Sequence, residues 1–445
     1  MWAVQIPAVH LQLLAQKYST GRDLIWLDSS SKGHPFGRYS YLCIDPIESI
    51  PASAQIEDLR QTLNHHSALW IDDGPPFQGG LVGFFDYEFS GIGIKDTTQS
   101  NDGAHCHFRL YDTIIAVDHD TDLLWIISSG FKRGSREPCR ATAQMRINAI
   151  KSDILNLPVP VAPSINLNWE NVITKENYLK AVRQIIDFIG EGDIYQANFS
   201  QAFTANLSSI TDIFHAYLSI RKSNPSPFSA CGNFGDRGIA CTSPERLITV
   251  DSHGIAEARP IKGTIKRSAH FDLDQRLKQR LLMSEKDRAE NIMIVDLLRN
   301  DLSKVCKPHT VTVKELCSLE SYAGLHQLTS SVQGEVNDDY DAFDLMSAVF
   351  PGGSVTGAPK RRSMEIINQL EQQPRRAFCG SMGYFGFNGA ADFNIMIRTI
   401  QFDGTRARLD VGSGITALSD PEDEYLETLL KAHKIFNGTG EVMIT

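Results

Sequence analysis

The order of helical and extended segments constrains the fold of this chain more than any other feature of its sequence. Apolar residues at helical spacing predict helices at 175–190, 271–304, 340–350, 360–369 and 421–437. Short apolar runs bounded by turn residues predict strands at 238–250, 255–265, 380–387, 393–402 and 406–411. Strands and helices do not alternate as they do in a doubly wound parallel sheet. We therefore expect an α+β fold built on large antiparallel sheets.

A proline-rich segment divides the chain. The sequence LPVPVAPSI at residues 157–165 places three prolines within six residues. Proline stops a helix and removes a hydrogen-bond donor from a sheet ladder. We therefore predict an N-terminal region at 1–156, a linker at 157–165 and a larger C-terminal region at 166–445.

Charge and cysteine usage limit the classes of partner. The net charge of −10 argues against nucleic acid or an anionic membrane as the main partner. The sequence has neither a basic leader nor a run of about 20 apolar residues that could span a bilayer, so we expect a cytoplasmic protein. Its eight cysteines lack CxxC spacing and its histidines form no HExxH group. Neither a disulfide framework nor a histidine-bound metal is predicted.

Two predicted helices each carry a pair of carboxylates on one face. Asp287 and Glu290 are three residues apart in the first, and Glu424 and Glu427 have the same spacing in the second. If the two pairs face each other, they supply hard oxygen ligands that suit Mg²⁺. The alternative is that they lie on solvated helix faces, where Glu427 can pair with Lys431 at i,i+4.

Glycine-rich segments and one arginine suggest sites for anions. The segment PGGSVTGAPKRR at 351–362 departs from the phosphate-loop pattern, because Lys360 does not directly follow the second glycine, and we interpret it as a turn. The segment VGSGITALSD predicts a second turn with backbone N–H groups at 412–414 that could bind an anion. Arg398 lies in the apolar IMIRTI run and requires either a substrate carboxylate or a structural salt bridge.

Six ordered motifs resemble those of the chorismate-utilising enzymes. They are SPERL, RPIKGT, DRAENIMIVDLLRND, PGGSVTGAPK, IRT and GSGI followed by EYLET, which together span about 190 residues. The N-terminal region also resembles that of the large components of anthranilate synthase and aminodeoxychorismate synthase. The resemblance implies an anthranilate synthase large-component-like fold, with two large antiparallel sheets packed as a sandwich and flanking helices.

Lys262 separates the members of this family. Anthranilate synthases resemble this segment but carry alanine there, whereas the chorismate-binding components of aminodeoxychorismate synthases carry PIKGT, as this chain does. The resemblance therefore implies conversion of chorismate and ammonia to 4-amino-4-deoxychorismate, for p-aminobenzoate and folate, through a covalent Lys262 intermediate. No GxCxG nucleophile elbow is present, so a partner glutamine amidotransferase subunit would supply the ammonia. The alternatives are an anthranilate synthase component I and a non-catalytic tryptophan-binding subunit.

The resemblance also assigns site residues. Glu245 would protonate the departing ring hydroxyl and His326 would line the ring, although a buried structural histidine is the alternative for the latter. Glu290 and Glu427 would hold Mg²⁺, with Asp287 and Glu424 as further ligands. Residues expected to contact the substrate are Arg398, Thr356, Gly412, Ser413, Gly414 and Phe378, the last at a position where many relatives have tyrosine. A tryptophan pocket, matched only in outline, would involve Ser29, Phe36, Gly37, Arg38, Tyr39, Pro227, Phe228 and Ser229.

Overall fold

The computed structural model describes residues 1–8, 10–20, 23–31, 33–66, 70–89, 105–132, 134–162, 165–207, 212–322, 324–371 and 373–443. The helices are α1 (Leu11–Tyr18), α2 (Ile56–Asn64), α3 (Arg140–Leu155), α4 (Lys175–Gly190), α5 (Asp212–Ser223), α6 (Phe271–Leu282), α7 (Glu285–Ser303), α8 (Ala342–Val349), α9 (Lys360–Glu371) and α10 (Pro421–Thr439). The five helical segments predicted from the sequence are confirmed, with 271–304 divided into α6 and α7.

The N-terminal strands are β1 (Trp2–Pro7), β2 (Ile25–Asp28), β3 (Tyr39–Cys43), β4 (Glu48–Ser49), β5 (Gly80–Phe85), β6 (Cys106–Tyr111), β7 (Thr113–Asp118) and β8 (Leu123–Ser128). The strands that follow are β9 (Leu167–Asn171), β10 (Gln196–Asn206), β11 (Phe228–Asn233), β12 (Arg237–Ser243), β13 (Arg246–Val250), β14 (Ile255–Ala258), β15 (Ile261–Lys266), β16 (Thr312–Ser321), β17 (Leu325–Glu335), β18 (Gly357–Ala358), β19 (Ser381–Gly386), β20 (Ala391–Asn394), β21 (Thr399–Asp403), β22 (Arg406–Ile415) and β23 (Gly440–Met443).

These strands form two large sheets. The first, of 13 strands among the described residues, runs β1-β8-β7-β3-β2-β11-β12-β21-β22-β10-β9-β23, with β18 paired to β10. The second, of 10 strands, runs β15-β17-β14-β13-β20-β19-β5-β6-β4, with β16 paired to β17. Neighbouring strands are antiparallel except β9 and β23. The expected α+β fold with two large antiparallel sheets is therefore confirmed.

Both sheets contain strands from each side of residues 157–165. In the first sheet β2 pairs with β11, and in the second β5 pairs with β19. Apolar side chains from both parts of the chain pack in shared clusters, such as Phe85 with Phe393. The division of the chain at the proline-rich segment stays a prediction.

Two segments predicted as single strands each cross from one sheet to the other. Residues 238–250 form β12 and β13, separated by Pro244 and Glu245, and residues 393–402 include β20 and β21, separated by 395–398. The two crossings are hydrogen-bonded to each other: the Ile395 N–H donates to the Glu245 carbonyl at 3.0 Å, and the Ser243 hydroxyl donates to the Ile395 carbonyl at 2.6 Å. This junction places Glu245 and Arg398 together between the sheets.

No helix in the described ranges combines the length and apolar character needed to cross a bilayer.

Candidate active site

Lys262 lies where β15 meets α7. Its Nζ donates to the Ser354 carbonyl oxygen at 3.4 Å and lies 3.8 Å from Glu290 Oε2. Only 14% of its side chain is exposed. The amine is therefore held inside a cleft that α7 borders and does not extend into solvent.

Gly263 permits the close approach of β15 and α7. Its φ is 75°, and the strand register shifts at this position. A Cβ added to Gly263 would lie 2.8 Å from Asp287 Cγ. L-residues with side chains rarely adopt this φ, and a Cβ here would meet Asp287, so the glycine after Lys262 allows α7 to pack closely against β15.

Glu245 is a buried acid at the sheet crossing. It is 6% exposed, and burial raises the pKa of its carboxyl, while the nearby Lys262 opposes the increase. A raised pKa keeps a larger fraction of the group protonated near neutral pH, as a general acid requires. Arg398 also lies close enough to oppose the shift, so Glu245 is within electrostatic reach of both the lysine and the arginine.

The predicted carboxylate pairs lie within electrostatic reach of each other. Burial raises the pKa of Glu290; Lys262 opposes this increase, whereas Asp287 and Glu424 add to it. The pKa of Lys286 is raised, because the charges of Glu424, Glu290 and Glu427 together outweigh the opposite effect of burial. Helices α7 and α10 thus bring carboxylates from both pairs around one region of the cleft.

Lysines and a hydroxyl contact these carboxylates. Lys286 Nζ lies 3.5 Å from Glu424 Oε1, which also accepts from the Ser419 hydroxyl at 2.6 Å, and Lys431 Nζ lies 2.7 Å from Glu427 Oε1. Within the described ranges, no three His, Cys, Asp or Glu side chains are arranged so that they could hold a metal ion. The donor set fits Mg²⁺ in its chemistry, since four carboxylates are hard oxygen ligands, but the side chains would have to rearrange.

Arg398 is partly buried and has no salt bridge to any carboxylate that the structure describes. Its φ is 52°, and its Nη1 donates to Asn224 Oδ1 at 3.1 Å. Burial lowers the pKa of the guanidinium, and the charge of Glu245 partly offsets this effect. A partly buried cation whose identified partner is neutral is suited to an anionic ligand, so the geometry favours the substrate-carboxylate alternative.

Residues 412–414 belong to a strand and do not form the expected turn. Along one edge, β22 pairs with β10 as far as Ile415, and this pairing includes Gly412, Ser413 and Gly414. Strand β21 pairs with the other edge only as far as Leu409. That edge is thus not paired with β21 at 412–414.

Gly414 brings this strand against α7. A Cβ at Gly414 would lie 2.2 Å from Gln196 Nε2 and 3.7 Å from Glu290 Oε2. Lys431 Nζ donates to the Gly412 carbonyl at 2.8 Å, which joins α10 to the same strand. The structure therefore brings together β22, α7 and α10, as the predicted site requires.

Thr356 and Phe378 are both buried. The Thr356 hydroxyl donates to the Gly352 carbonyl at 3.0 Å within its own turn. Phe378 is 3% exposed in the apolar core, and its ring centroid lies 5.6 Å from the Arg375 guanidinium. Neither residue provides a free polar group to a ligand in this arrangement.

His326 matches the structural alternative. Its side chain is fully buried, and both ring nitrogens are occupied: Nε2 lies 3.0 Å from Asp274 Oδ1 and Nδ1 lies 2.8 Å from the Ser321 hydroxyl. These contacts join β17 to α6 and β16. A substrate could reach a ring nitrogen only if one of these bonds broke.

Sequence reasoning missed three residues at the site. Ser354 accepts from Lys262, Lys286 contacts Glu424, and Asn224 contacts Arg398. Ser354 and Lys286 lie within or next to the quoted motifs, so their position was a usable signal. Asn224 begins the sequence NPSPF at 224–228, whose Pro227 and Phe228 were assigned only to the tryptophan pocket, and nothing in its local sequence indicates its distant partner.

A separate cavity of about 480 Å³ is lined by residues from both the N-terminal and the C-terminal parts of the chain. Seven of the eight residues predicted for a tryptophan pocket line it, namely Ser29, Phe36, Arg38, Tyr39, Pro227, Phe228 and Ser229. Gly37 is not among the lining residues; its N–H donates to the His34 carbonyl in an adjacent turn. Asp28 also borders the cavity and is paired with Arg221 at 2.6 Å.

Comparison with known proteins places this geometry in a family. Residues 23–437 match the chorismate binding enzyme family. The chain is 34% identical over 426 residues to aminodeoxychorismate synthase component 1 of Bacillus subtilis (strain 168), covering 89% of this chain and 88% of that protein. It is 37% identical over 392 residues to a probable chloroplastic aminodeoxychorismate synthase of Oryza sativa subsp. japonica, covering 80% of this chain but only 43% of the longer plant protein.

A solved structure supports the same relationship. The crystal structure of anthranilate synthase component I from Streptococcus pneumoniae TIGR4 superposes with a TM-score of 0.77 at 28% identity, covering 91% of this chain and 93% of that one. The family match spans the sheet crossing, the lysine strand and both carboxylate helices. The chain therefore belongs to the chorismate binding enzyme family.

Proposed function

We propose that this protein converts chorismate and ammonia to 4-amino-4-deoxychorismate, the precursor of p-aminobenzoate in folate synthesis. One observation carries the proposal: Lys262, an amine in place of the alanine expected of an anthranilate synthase, lies beside buried Glu245 and 3.8 Å from Glu290. Similarity to the Bacillus subtilis relative over most of both chains supports the same activity.

The lysine and the glutamate act as a pair in the proposed reaction. Transfer of a proton from the Lys262 ammonium to the Glu245 carboxylate yields a neutral amine and a protonated acid together. Burial of Glu245 favours this transfer because it raises the pKa of the carboxyl. The amine then forms a C–N bond to the ring, and the ring hydroxyl leaves as water with the Glu245 proton.

Ammonia completes the reaction. Its nitrogen forms a new C–N bond with the ring, the bond between the ring and Lys262 breaks, and the lysine amine is released for another cycle. A partner glutamine amidotransferase subunit supplies the ammonia in this proposal. Lys262 therefore determines that nitrogen enters through a lysyl intermediate.

The remaining site residues bind the two substrate carboxylates. Arg398 and the edge of β22 that β21 leaves unpaired are suited to the enolpyruvyl carboxylate because they supply a partly buried cation and backbone groups. Glu290 and Glu427, with Asp287 and Glu424, would hold Mg²⁺. When bound, Mg²⁺ supplies positive charge that allows an acidic cleft to accept the ring carboxylate.

Anthranilate synthase is the second candidate, and the Streptococcus pneumoniae neighbour carries that activity in its name. A reaction with chorismate, ammonium and Mg²⁺, analysed by mass spectrometry, separates the two candidates. We expect aminodeoxychorismate as the main product. Anthranilate as the main product would support the second candidate, and substrate recovered unchanged by folded protein would support a non-catalytic subunit.

We further propose that the cavity lined by Ser29, Phe36 and Phe228 binds tryptophan. The rings of Phe36 and Phe228 suit an indole. Isothermal titration with tryptophan, on protein freed of ligand by unfolding and refolding, should show one binding site per chain. The Ser229→Trp substitution fills the cavity and should abolish this binding. Absence of heat and of any thermal stabilisation by tryptophan would contradict this assignment.

A further inference from the structure

We propose that Asn224 is a positioning residue that fixes the Arg398 guanidinium for the substrate carboxylate without neutralising its charge. This inference rests on the proposed function, in which Arg398 binds chorismate. It assigns a role to a residue that lies 174 positions away in the sequence.

Asn224 is itself held rigidly at the end of α5. Its backbone N–H donates to the Ile220 carbonyl at 2.8 Å, which continues the last turn of the helix. The side chain is buried, since the residue is only 6% exposed. An asparagine fixed in this way loses little additional conformational freedom when it holds a neighbour.

The orientation of the Asn224 amide follows from its other partner. Nδ2 lies 3.2 Å from the Thr242 carbonyl oxygen and 2.8 Å from Thr242 Oγ1. A carbonyl oxygen only accepts, so the amide must present its NH₂ group to Thr242 and its oxygen to Arg398. Asn224 is therefore oriented as an acceptor for the guanidinium.

Thr242 also holds the backbone of Arg398. The Thr242 N–H and Oγ1 donate to the Arg398 carbonyl at 3.1 and 3.2 Å. Arg398 has a φ of 52°, a conformation that non-glycine residues adopt only when their surroundings enforce it. Asn224 and Thr242 thus determine the placement of both ends of the arginine.

A neutral partner is suited to a site that must still attract an anion. Asn224 accepts from Nη1 at 3.1 Å and leaves the charge of Arg398 uncompensated, whereas an aspartate at this position would pair with the arginine and compete with the substrate. The identity of the residue as asparagine, and not only its size, therefore contributes to substrate binding.

The test combines kinetics with a double-mutant cycle. In Asn224→Ala we expect kcat/KM for chorismate to fall roughly 10- to 100-fold, mainly through KM, because a hydrogen bond to a charged group is lost. The Asn224→Asp variant, which is close to isosteric, should show a larger fall in kcat/KM than Asn224→Ala. Asn206→Ala, at an exposed asparagine at the end of β10, is the matched control and should change neither parameter.

The Arg398→Ala background separates positioning from a general structural role. If Asn224 acts through Arg398, adding Asn224→Ala to Arg398→Ala should cost little further kcat/KM. Equal losses in the two backgrounds, or wild-type kinetics in both Asn224 variants, would overturn the inference. Full activity of Arg398→Ala would instead refute the substrate-binding role of the arginine and the inference with it. If Asn224→Ala fails to fold, the same test is made with Asn224→Asp, by comparing its loss of kcat/KM in the wild-type and Arg398→Ala backgrounds.

Discussion

Replacement of Lys262 by alanine should reduce aminodeoxychorismate formation with ammonia by roughly 10³-fold or more, because the proposed nucleophile is removed. The side chain makes a 3.4 Å hydrogen bond to the Ser354 carbonyl and a 3.8 Å contact with Glu290, and neither supports the core. We therefore expect the variant to fold. A low rate of anthranilate formation is the expected residual activity, since the variant then resembles the synthases that carry alanine here.

Two lysine variants show whether the loss is specific. Lys266→Ala removes an exposed lysine from the same strand and should leave most of the activity. Lys262→Arg keeps the positive charge beside Glu290 but cannot act as a neutral nucleophile, so it should be nearly as inactive as Lys262→Ala. Undiminished aminodeoxychorismate formation by either Lys262 variant would refute the covalent role.

Removal of divalent metal should cause the second largest loss of activity, after replacement of Lys262. Excess chelator should abolish turnover of chorismate, and added Mg²⁺ should restore it, because the acidic cleft then lacks the charge that the ring carboxylate requires. Glu290→Gln should also be almost inactive and should require a higher Mg²⁺ concentration for any activity that remains. Steady-state rates measured against Mg²⁺ concentration provide this comparison.

A glutamate on α10, the helix that carries Glu424 and Glu427, serves as the control for the metal prediction. Glu422 lies in the first turn of α10 and pairs with Lys175 at the surface, where half of each side chain is exposed. Glu422→Gln should leave the Mg²⁺ dependence unchanged, since surface ion pairs contribute about 0–1 kcal/mol. Full turnover by the wild-type protein in excess chelator would exclude a role for the carboxylate site in metal binding.

The fold could be predicted in class but not in its sheet crossings. Helix α4 is found at residues 175–190, as its apolar spacing predicts, because an amphipathic helix is specified by nearby residues. Residues 238–250 and 393–402 form apolar runs that would fit one buried strand each. Their division between two sheets depends on tertiary contacts such as Ser243 with Ile395, which no local pattern encodes.

The candidate site could also be predicted from the sequence only in part. Lys262, Glu245 and the carboxylate pairs lie in motifs, so sequence reasoning found them, and the structure brings them into one cleft. The contact between Asn224 and Arg398 joins distant segments and could not be predicted. His326 was expected to line the ring, but neighbouring strands and a helix determine its environment and occupy both ring nitrogens.

The mass of the protein itself tests the central claim most directly. Wild-type protein should be mixed with chorismate and Mg²⁺ without ammonia, quenched in acid and analysed by intact-protein and peptide mass spectrometry. We expect an added mass of chorismate less one water on the peptide containing Lys262, and this adduct should disappear when ammonia is supplied. An active preparation with no adduct, or an adduct retained in Lys262→Ala, would contradict the central claim.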